Sequence, residues 1–132
     1  MYVLGLSLVG LWPHPVDGAV DVAGLPPVRW TTDALGLTPI QGYDVVQFAA
    51  NVLLFVPFGV LVLLMWRRAN VMHATVAGAA VAVLIELLQL LVRPERLASV
   101  QDVVANTLGA AVGAAVMWVV RARRRVVASD QE

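Results

Sequence analysis

The sequence predicts an all-α protein: a polytopic membrane helix bundle with three long transmembrane helices plus a short or truncated N-terminal helix. Two observations predict this fold class. Of the 132 residues, 60% are hydrophobic and only 14% are charged, whereas a soluble domain is about half apolar and about a quarter charged. The apolar residues also form three runs long enough to span a bilayer, and none alternates with polar residues as a β-strand would.

The N-terminal segment is the least regular part of this bundle. Residues 1–12 are apolar and a Pro-His-Pro sequence follows. A helix of that length reaches roughly 18 Å, short of the roughly 30 Å hydrocarbon core. It is either a partial span or the end of a helix that begins upstream, and we favour the second. Residues 13–44 hold most of the prolines and are predicted to form an external loop, with a short interfacial helix near Thr31–Leu37 that Thr31 or Thr32 caps.

The three long apolar runs are predicted to be the spanning helices of a single domain, residues 1–132. They comprise residues 45–66, 71–92 and 103–121, and a cytoplasmic tail follows at 122–132. Each run is as long as a bilayer crossing requires.

Small residues and one proline predict how these helices pack. Pro57 removes a backbone hydrogen bond inside its helix and should kink it, and Gly59 would ease the kink. Gly109 and Gly113 have the small-xxx-small spacing that lets two helix backbones approach closely. We interpret that spacing as packing within one bundle rather than as a dimer interface.

Arginine placement predicts the orientation. All nine basic residues are arginines, and two groups of them flank the apolar runs, at 67–68 and at 121–125. The positive-inside rule places both groups in the cytoplasm. The protein is therefore expected to be a multi-pass protein of the cell membrane with a cytoplasmic C-terminus. We interpret the arginines of 121–125 as a topology anchor, with contact to anionic lipid head groups as the alternative.

Polar side chains converge in the external half of this predicted bundle. A charged group inside a membrane is costly and usually faces protein or a water-filled cavity, so the convergence predicts a ligand-binding cavity. Interhelical hydrogen bonding, which contributes about 1 kcal/mol per polar residue, is the alternative for the amides. Arg93 and Arg96 break the positive-inside rule and are the expected partners of Glu86. The candidate residues are Asp44, Asn51, Glu86, Gln89, Arg93, Arg96, Asp102 and Asn106.

Several other kinds of site are excluded. The chain has no cysteine, and its two histidines, His14 and His73, fall on opposite sides of the predicted membrane, so we expect no metal. Arginines close to Asp44, Glu86 and Asp102 argue against a carboxylate site for a hard cation. No glycine-rich phosphate loop or serine triad is present, and we expect neither a cofactor nor nucleic-acid binding.

Three blocks of the sequence resemble VanZ-like membrane proteins, over a stretch from about residue 10 to about residue 120: WPHPVD at 12–17, the block 43–62 and the block 85–113. The family shows an N-x-x-x-F-x-P-x-G pattern, and then E-x-x-Q, an Arg, and D-x-x-x-N-x-x-G-x-x-x-G. The first pattern corresponds here to Asn51, Phe55, Pro57 and Gly59. The second corresponds to Glu86, Gln89, Arg96, Asp102, Asn106, Gly109 and Gly113.

The resemblance implies a small polytopic protein of the cell envelope. The family's namesake is associated with low-level resistance to the glycopeptide teicoplanin, and no biochemical activity is established for it. The implied partners are membrane lipids and either a lipid-linked cell-wall precursor or a glycopeptide. Neither the resemblance nor the residues predict an oligomeric state.

Three functions stay open at this point. In the one we favour, the protein is not an enzyme: Arg93 or Arg96 pairs with a ligand phosphate or carboxylate while Glu86 and Asp102 hold the arginine. In the second, an intramembrane enzyme uses Glu86 as a base on a lipid-linked precursor, with Asp102 orienting it. In the third, a structural or regulatory subunit uses the polar groups only for packing.

Overall fold

A computed structural model describes residues 24–92 and 99–129 of the protein. This part of the chain is all-α, as predicted, and has no strand. Its helices are α1 (Pro26–Leu35), α2 (Pro39–Met65), α3 (Val71–Val92) and α4 (Val100–Ser129). Three of them, α2, α3 and α4, are long and apolar enough to cross a membrane. The helix expected at residues 1–12 lies outside the described residues.

Helix α1 lies within the segment predicted to be an external loop. It begins at Pro26, where the missing N–H of proline costs nothing, and it ends at Gly36, which has the left-handed φ of 64°. Thr31 and Thr32 lie inside the helix, and their hydroxyls donate to backbone carbonyls about one turn earlier, at 2.7 Å each. The prediction that Thr31 or Thr32 caps a helix is therefore wrong.

Helix α2 begins at Pro39 rather than at the start of the apolar run, residue 45. The sequence Thr-Pro-Ile-Gln forms a reciprocal capping box there. The Thr38 N–H donates to Oε1 of Gln41 at 3.0 Å, and the Gln41 N–H donates to the Thr38 hydroxyl at 3.4 Å. The helix then continues through Pro57 to Met65.

Helix α3 spans residues 71–92, the bounds of the predicted segment, and a short turn joins it to α2. Asn70 caps it, because its Oδ1 accepts the N–H of His73 at 3.0 Å. The His73 ring also packs edge-on against Trp66, with the ring centroids 5.0 Å apart. His73 therefore has a local structural role at the start of α3.

Helix α4 is longer at both ends than the predicted residues 103–121. It starts after a serine cap described below. It continues to Ser129 because no glycine or proline follows Gly113 and arginine is a good helix former. Most of the segment predicted as a cytoplasmic tail is therefore helix.

The chain divides into two compact units, Met1–Ala50 and Asn51–Glu132. The first contains α1 and the beginning of α2, where Gly42 lies against Thr32: a Cβ on Gly42 would be 2.6 Å from the Thr32 methyl. The second contains the rest of α2, with α3 and α4. The prediction of one domain over residues 1–132 stays a prediction.

Within the second unit, glycines bring the backbones of α2 and α4 into contact. A Cβ on Gly109 or Gly113 would overlap carbonyl oxygens of α2, and a Cβ on Gly59 would overlap the backbone of α4. Gly59, expected to ease a kink at Pro57, thus lies where α2 touches α4. This close approach fixes how far apart the polar side chains of the two helices can be.

The surface of the long helices is apolar and part of the interior is polar. Leu53, Leu91 and Val100 are 70%, 80% and 77% exposed, whereas Glu86 and Asn106 are each 7% exposed. Water would favour the opposite arrangement, whereas lipid accepts apolar side chains on the outside. Together with the length of its helices, this pattern indicates a membrane protein.

Candidate functional site

The candidate site is built around the N-terminus of α4, which Ser99 caps. The Ser99 hydroxyl accepts the N–H of Asp102 at 3.2 Å, and its carbonyl accepts the N–H of Val103 at 3.3 Å. Ser-x-x-Asp resembles the capping-box pattern, in which the acidic side chain reaches back to the cap N–H. In this protein the N–H of the cap residue, Ser99, bonds to a side chain of another helix instead.

The N–H of Ser99 donates to Glu86, a residue of α3. The distance to its Oε2 is 2.8 Å, and the Glu86 side chain is buried. A carboxylate at a helix N-terminus lies at the positive end of the helix dipole, which stabilises its negative charge. Glu86 therefore acts as an interhelical cap that joins α3 to the first turn of α4.

Asp102 connects the same helix end to α2. Its Oδ1 accepts a hydrogen bond from Nδ2 of Asn51 at 3.0 Å, and both residues are half-buried. Asn51 is the first residue of the second compact unit and lies one turn before Phe55, which is buried. Helices α2, α3 and α4 are thus linked by polar contacts at one point.

Asn106 lies one turn further along α4, four residues after Asp102 and on the same face. Its side chain is 7% exposed. Its oxygen Oδ1 is buried and accepts no hydrogen bond from the part of the chain that the structure describes. A buried acceptor without a donor costs about 1–3 kcal/mol. A donor from a bound molecule would remove that cost.

We refer to these five residues as the capping cluster. They come from three helices, and the cluster is rich in acceptors: two carboxylates and the side-chain oxygens of two asparagines. Such a set recognises hydrogen-bond donors, for example hydroxyls, amide N–H groups or an ammonium. The members of the capping cluster are Asn51, Glu86, Ser99, Asp102 and Asn106.

The structure does not add the other candidate residues to the capping cluster. Gln89 is half-buried on α3, one turn after Glu86, and Asp44 is exposed in the first compact unit. Arg93 and Arg96, the partners expected for Glu86, lie outside the described residues. Where the structure is described, no group of three histidine or carboxylate side chains could hold a metal ion.

Ser99 is the cluster member that the sequence reasoning missed. The signal that could have found it is the spacing Ser-x-x-Asp immediately before an apolar helical run, which predicts a helix N-terminus at Ser99.

A groove of about 170 Å³ between α3 and α4 adjoins the capping cluster. Its walls are valines and leucines, and Glu86 and Ser99 are the polar residues among those that line it. The surface exposed in the groove is apolar, so the groove itself suits a hydrocarbon chain. The groove is lined by Val83, Glu86, Leu87, Leu90, Ser99, Val100 and Val103.

The model of the VanZ/LLP1 family matches residues 1–121, which include α1, α2, α3 and most of α4. No curated protein and no solved structure matches the chain.

Proposed function

The chain is a member of the VanZ/LLP1 family, and from this premise we propose that it binds an amphiphilic envelope ligand at the capping cluster. The ligand is the donor-bearing head of a lipid-linked cell-wall precursor or of a glycopeptide. In this function the protein is a non-enzymatic component of the cell envelope. It affects how a precursor is handled or how an antibiotic reaches its target.

The observation that carries the proposal is the buried oxygen of Asn106. A fully packed protein seldom leaves a buried acceptor without a donor, because the lost hydrogen bond is not replaced. A hydroxyl, amide or ammonium group of a ligand would supply the donor. The two carboxylates nearby would strengthen the binding of a positively charged or strongly donating group.

The groove between α3 and α4 supports an amphiphile over a wholly polar ligand. Glu86 and Ser99 belong both to the groove and to the capping cluster, while valines and leucines form the rest of the lining. A chain of methylene or isoprene units in the groove would bury apolar surface at about 25 cal/mol per Å². The donor-bearing end of the same molecule would then lie close to Glu86.

A structural role is the second candidate, and the described hydrogen bonds favour it. Asn51 satisfies one oxygen of Asp102, and the Ser99 N–H satisfies one oxygen of Glu86. Polar contacts of this kind hold membrane helices together without any ligand. In that case the capping cluster would serve only to join α2, α3 and α4.

Ligand-dependent thermal stabilisation separates the two candidates. Purified full-length protein in nanodiscs would be titrated with a polyprenyl-diphosphate-linked muropeptide and with teicoplanin. Asn106→Leu should weaken binding of the recognised ligand at least tenfold, since it removes the acceptor and keeps the volume. The matched control is Thr107→Val, because the Thr107 hydroxyl donates to its own helix backbone at 2.7 Å.

The outcomes are distinct. Binding by the wild type that Asn106→Leu abolishes and Thr107→Val preserves supports the proposed function. If neither compound stabilises the wild type, the binding proposal fails and the structural role stands. If both variants weaken binding equally, the ligand does not contact Asn106.

A further inference from the structure

We propose that the protein has a second site, far from the capping cluster, that binds the phosphate of an anionic phospholipid. Three arginines form it: Arg67, which follows the end of α2, and Arg121 and Arg124 on α4. Together with Leu64 they line a cleft of about 340 Å³. Ligand pockets range from roughly 300 to 1,000 Å³, so the cleft is large enough for a head group. We refer to these four residues as the arginine cleft.

The arginine cleft lies at the other end of α4 from the capping cluster. Asp102 and Arg121 are 19 positions apart on one continuous helix (121 − 102), which corresponds to about 28 Å at about 1.5 Å per residue. The hydrocarbon core is roughly 30 Å thick. With α4 across a bilayer, the two sites therefore face opposite leaflets, and the positive-inside rule assigns the arginine cleft to the cytoplasmic leaflet.

The arginine cleft carries positive charge, and the two segments that supply its residues contain no carboxylate side chain. Residues 45–85 and 103–129 contain no aspartate or glutamate, and these two segments supply all four lining residues. Arg121 and Arg124 are three residues apart, so they share one face of α4. Three like charges around one cleft repel one another. An anion between them removes that repulsion, and the guanidinium fork matches the oxygens of a phosphate.

One tryptophan just after α2 and one on α4 place the arginine cleft at the depth of lipid head groups. Trp66 immediately precedes Arg67, and Trp118 lies one turn before Arg121; they are 52% and 56% exposed. Tryptophan is enriched at the membrane–water boundary. Leu64, which is 51% exposed, adds an apolar wall to the same cleft. A lipid phosphate with its attached glycerol fits this mixture better than a soluble anion does.

Native mass spectrometry of the full-length protein tests the proposal. The protein would be released from nanodiscs that contain equal amounts of phosphatidylglycerol and phosphatidylcholine. The variant R67Q/R121Q removes one lining arginine after α2 and one from α4. Its matched control, R68Q/R123Q, removes the same charge from neighbouring exposed positions that do not line the cleft.

We expect the wild type to retain phosphatidylglycerol in preference to phosphatidylcholine. R67Q/R121Q should bind it at least tenfold more weakly than R68Q/R123Q does, and Asn106→Leu should leave retention unchanged. If the two double variants weaken phosphatidylglycerol binding equally, the lipid is attracted by overall positive charge, and the proposal of a specific site is overturned. Displacement of the lipid by millimolar inorganic phosphate would overturn the lipid assignment. If R67Q/R121Q lacks the helicity of the wild type, the exposed single variant R124Q decides: unchanged retention overturns the proposal.

Discussion

The carboxylate of Glu86 accepts a hydrogen bond from the backbone N–H of Ser99, 2.8 Å away, so a side chain of α3 completes the cap of α4. In a capping box the residue three positions after the cap would make this bond. That residue is Asp102, and it accepts a hydrogen bond from Asn51 of α2. Because Glu86 of α3 takes the Ser99 N–H and Asp102 instead bonds to Asn51 of α2, three helices are joined at the N-terminus of α4.

Replacing Glu86 should destabilise the protein in a graded way. Glu86→Ala should lower the free energy of unfolding by about 2 kcal/mol, since a hydrogen bond to a charged group contributes about 1.5–3 kcal/mol. Glu86→Gln should cost less, because the amide oxygen still accepts the Ser99 N–H. Unfolding by SDS in mixed micelles, followed by circular dichroism, measures both. The control is Leu87→Ala, at an exposed neighbouring position. If Glu86→Ala loses no more stability than Leu87→Ala does, the capping role of Glu86 is contradicted.

The contact between Asn51 and Asp102 should appear as a coupling energy. A double-mutant cycle with Asn51→Ala and Asp102→Ala should give about 1 kcal/mol, since polar pairs between membrane helices contribute about 0.6–1.7 kcal/mol. The same unfolding assay supplies the four stabilities. Thr75 provides the comparison, because its hydroxyl donates to the Val71 carbonyl within α3, at 2.9 Å. A cycle between Asn51 and Thr75 as large as the first would show that the coupling is not specific.

Adding a methyl group at Gly113 should destabilise the bundle although it favours the helix. Alanine is better than glycine in a helix by about 1 kcal/mol, but a Cβ at Gly113 would overlap the carbonyl oxygen of Val56. Overpacking of this kind costs about 1–3 kcal/mol, so Gly113→Ala should have the lower unfolding midpoint. Ala115→Val adds volume at an exposed position of α4 and should be tolerated. A midpoint raised by Gly113→Ala would contradict the close contact.

The predicted orientation can be tested by cysteine labelling in intact cells. The chain has no cysteine, so a single introduced thiol is the only one labelled. A membrane-impermeant maleimide should label Asp33→Cys from outside and should label Glu132→Cys only after the cells are lysed. This expectation follows from the positive-inside rule, which assigns the arginines at 67–68 and 121–125 to the cytoplasm. Labelling of Glu132→Cys in intact cells would show that the predicted orientation is wrong.

Much of the fold could be predicted because a membrane-spanning helix is apolar along its whole length and so appears as a long apolar run in the sequence. The apolar run 71–92 coincides with α3, and the resemblance to VanZ-like proteins is confirmed by the family match over residues 1–121. Helix ends depend on finer signals. The box at Thr38–Gln41 starts α2 before its apolar run begins, and the arginines after residue 120 are charged but still favour a helix.

The candidate site could be predicted by residue type but not by pairing. The predicted topology puts Asn51, Glu86 and Asp102 in one half of the membrane, because successive spanning helices are expected to run in opposite directions. Which side chain meets which depends on the rotation of the helices, and that is set by backbone contacts at glycines such as Gly113. The partner described for Glu86 is moreover a backbone N–H, a group that every residue except proline possesses and that residue type cannot reveal.

The two groups that form the cap of α4 are synthesised one after the other. Glu86 precedes Ser99 by 13 positions (99 − 86), so during synthesis the acceptor leaves the ribosome before the N–H it will receive. Each of these groups alone would oppose transfer into lipid, since an unpaired polar group costs several kcal/mol there. Paired, they satisfy each other. We therefore expect α3 and α4 to enter the membrane as a pair, held by the same polar contact that joins them in the folded bundle.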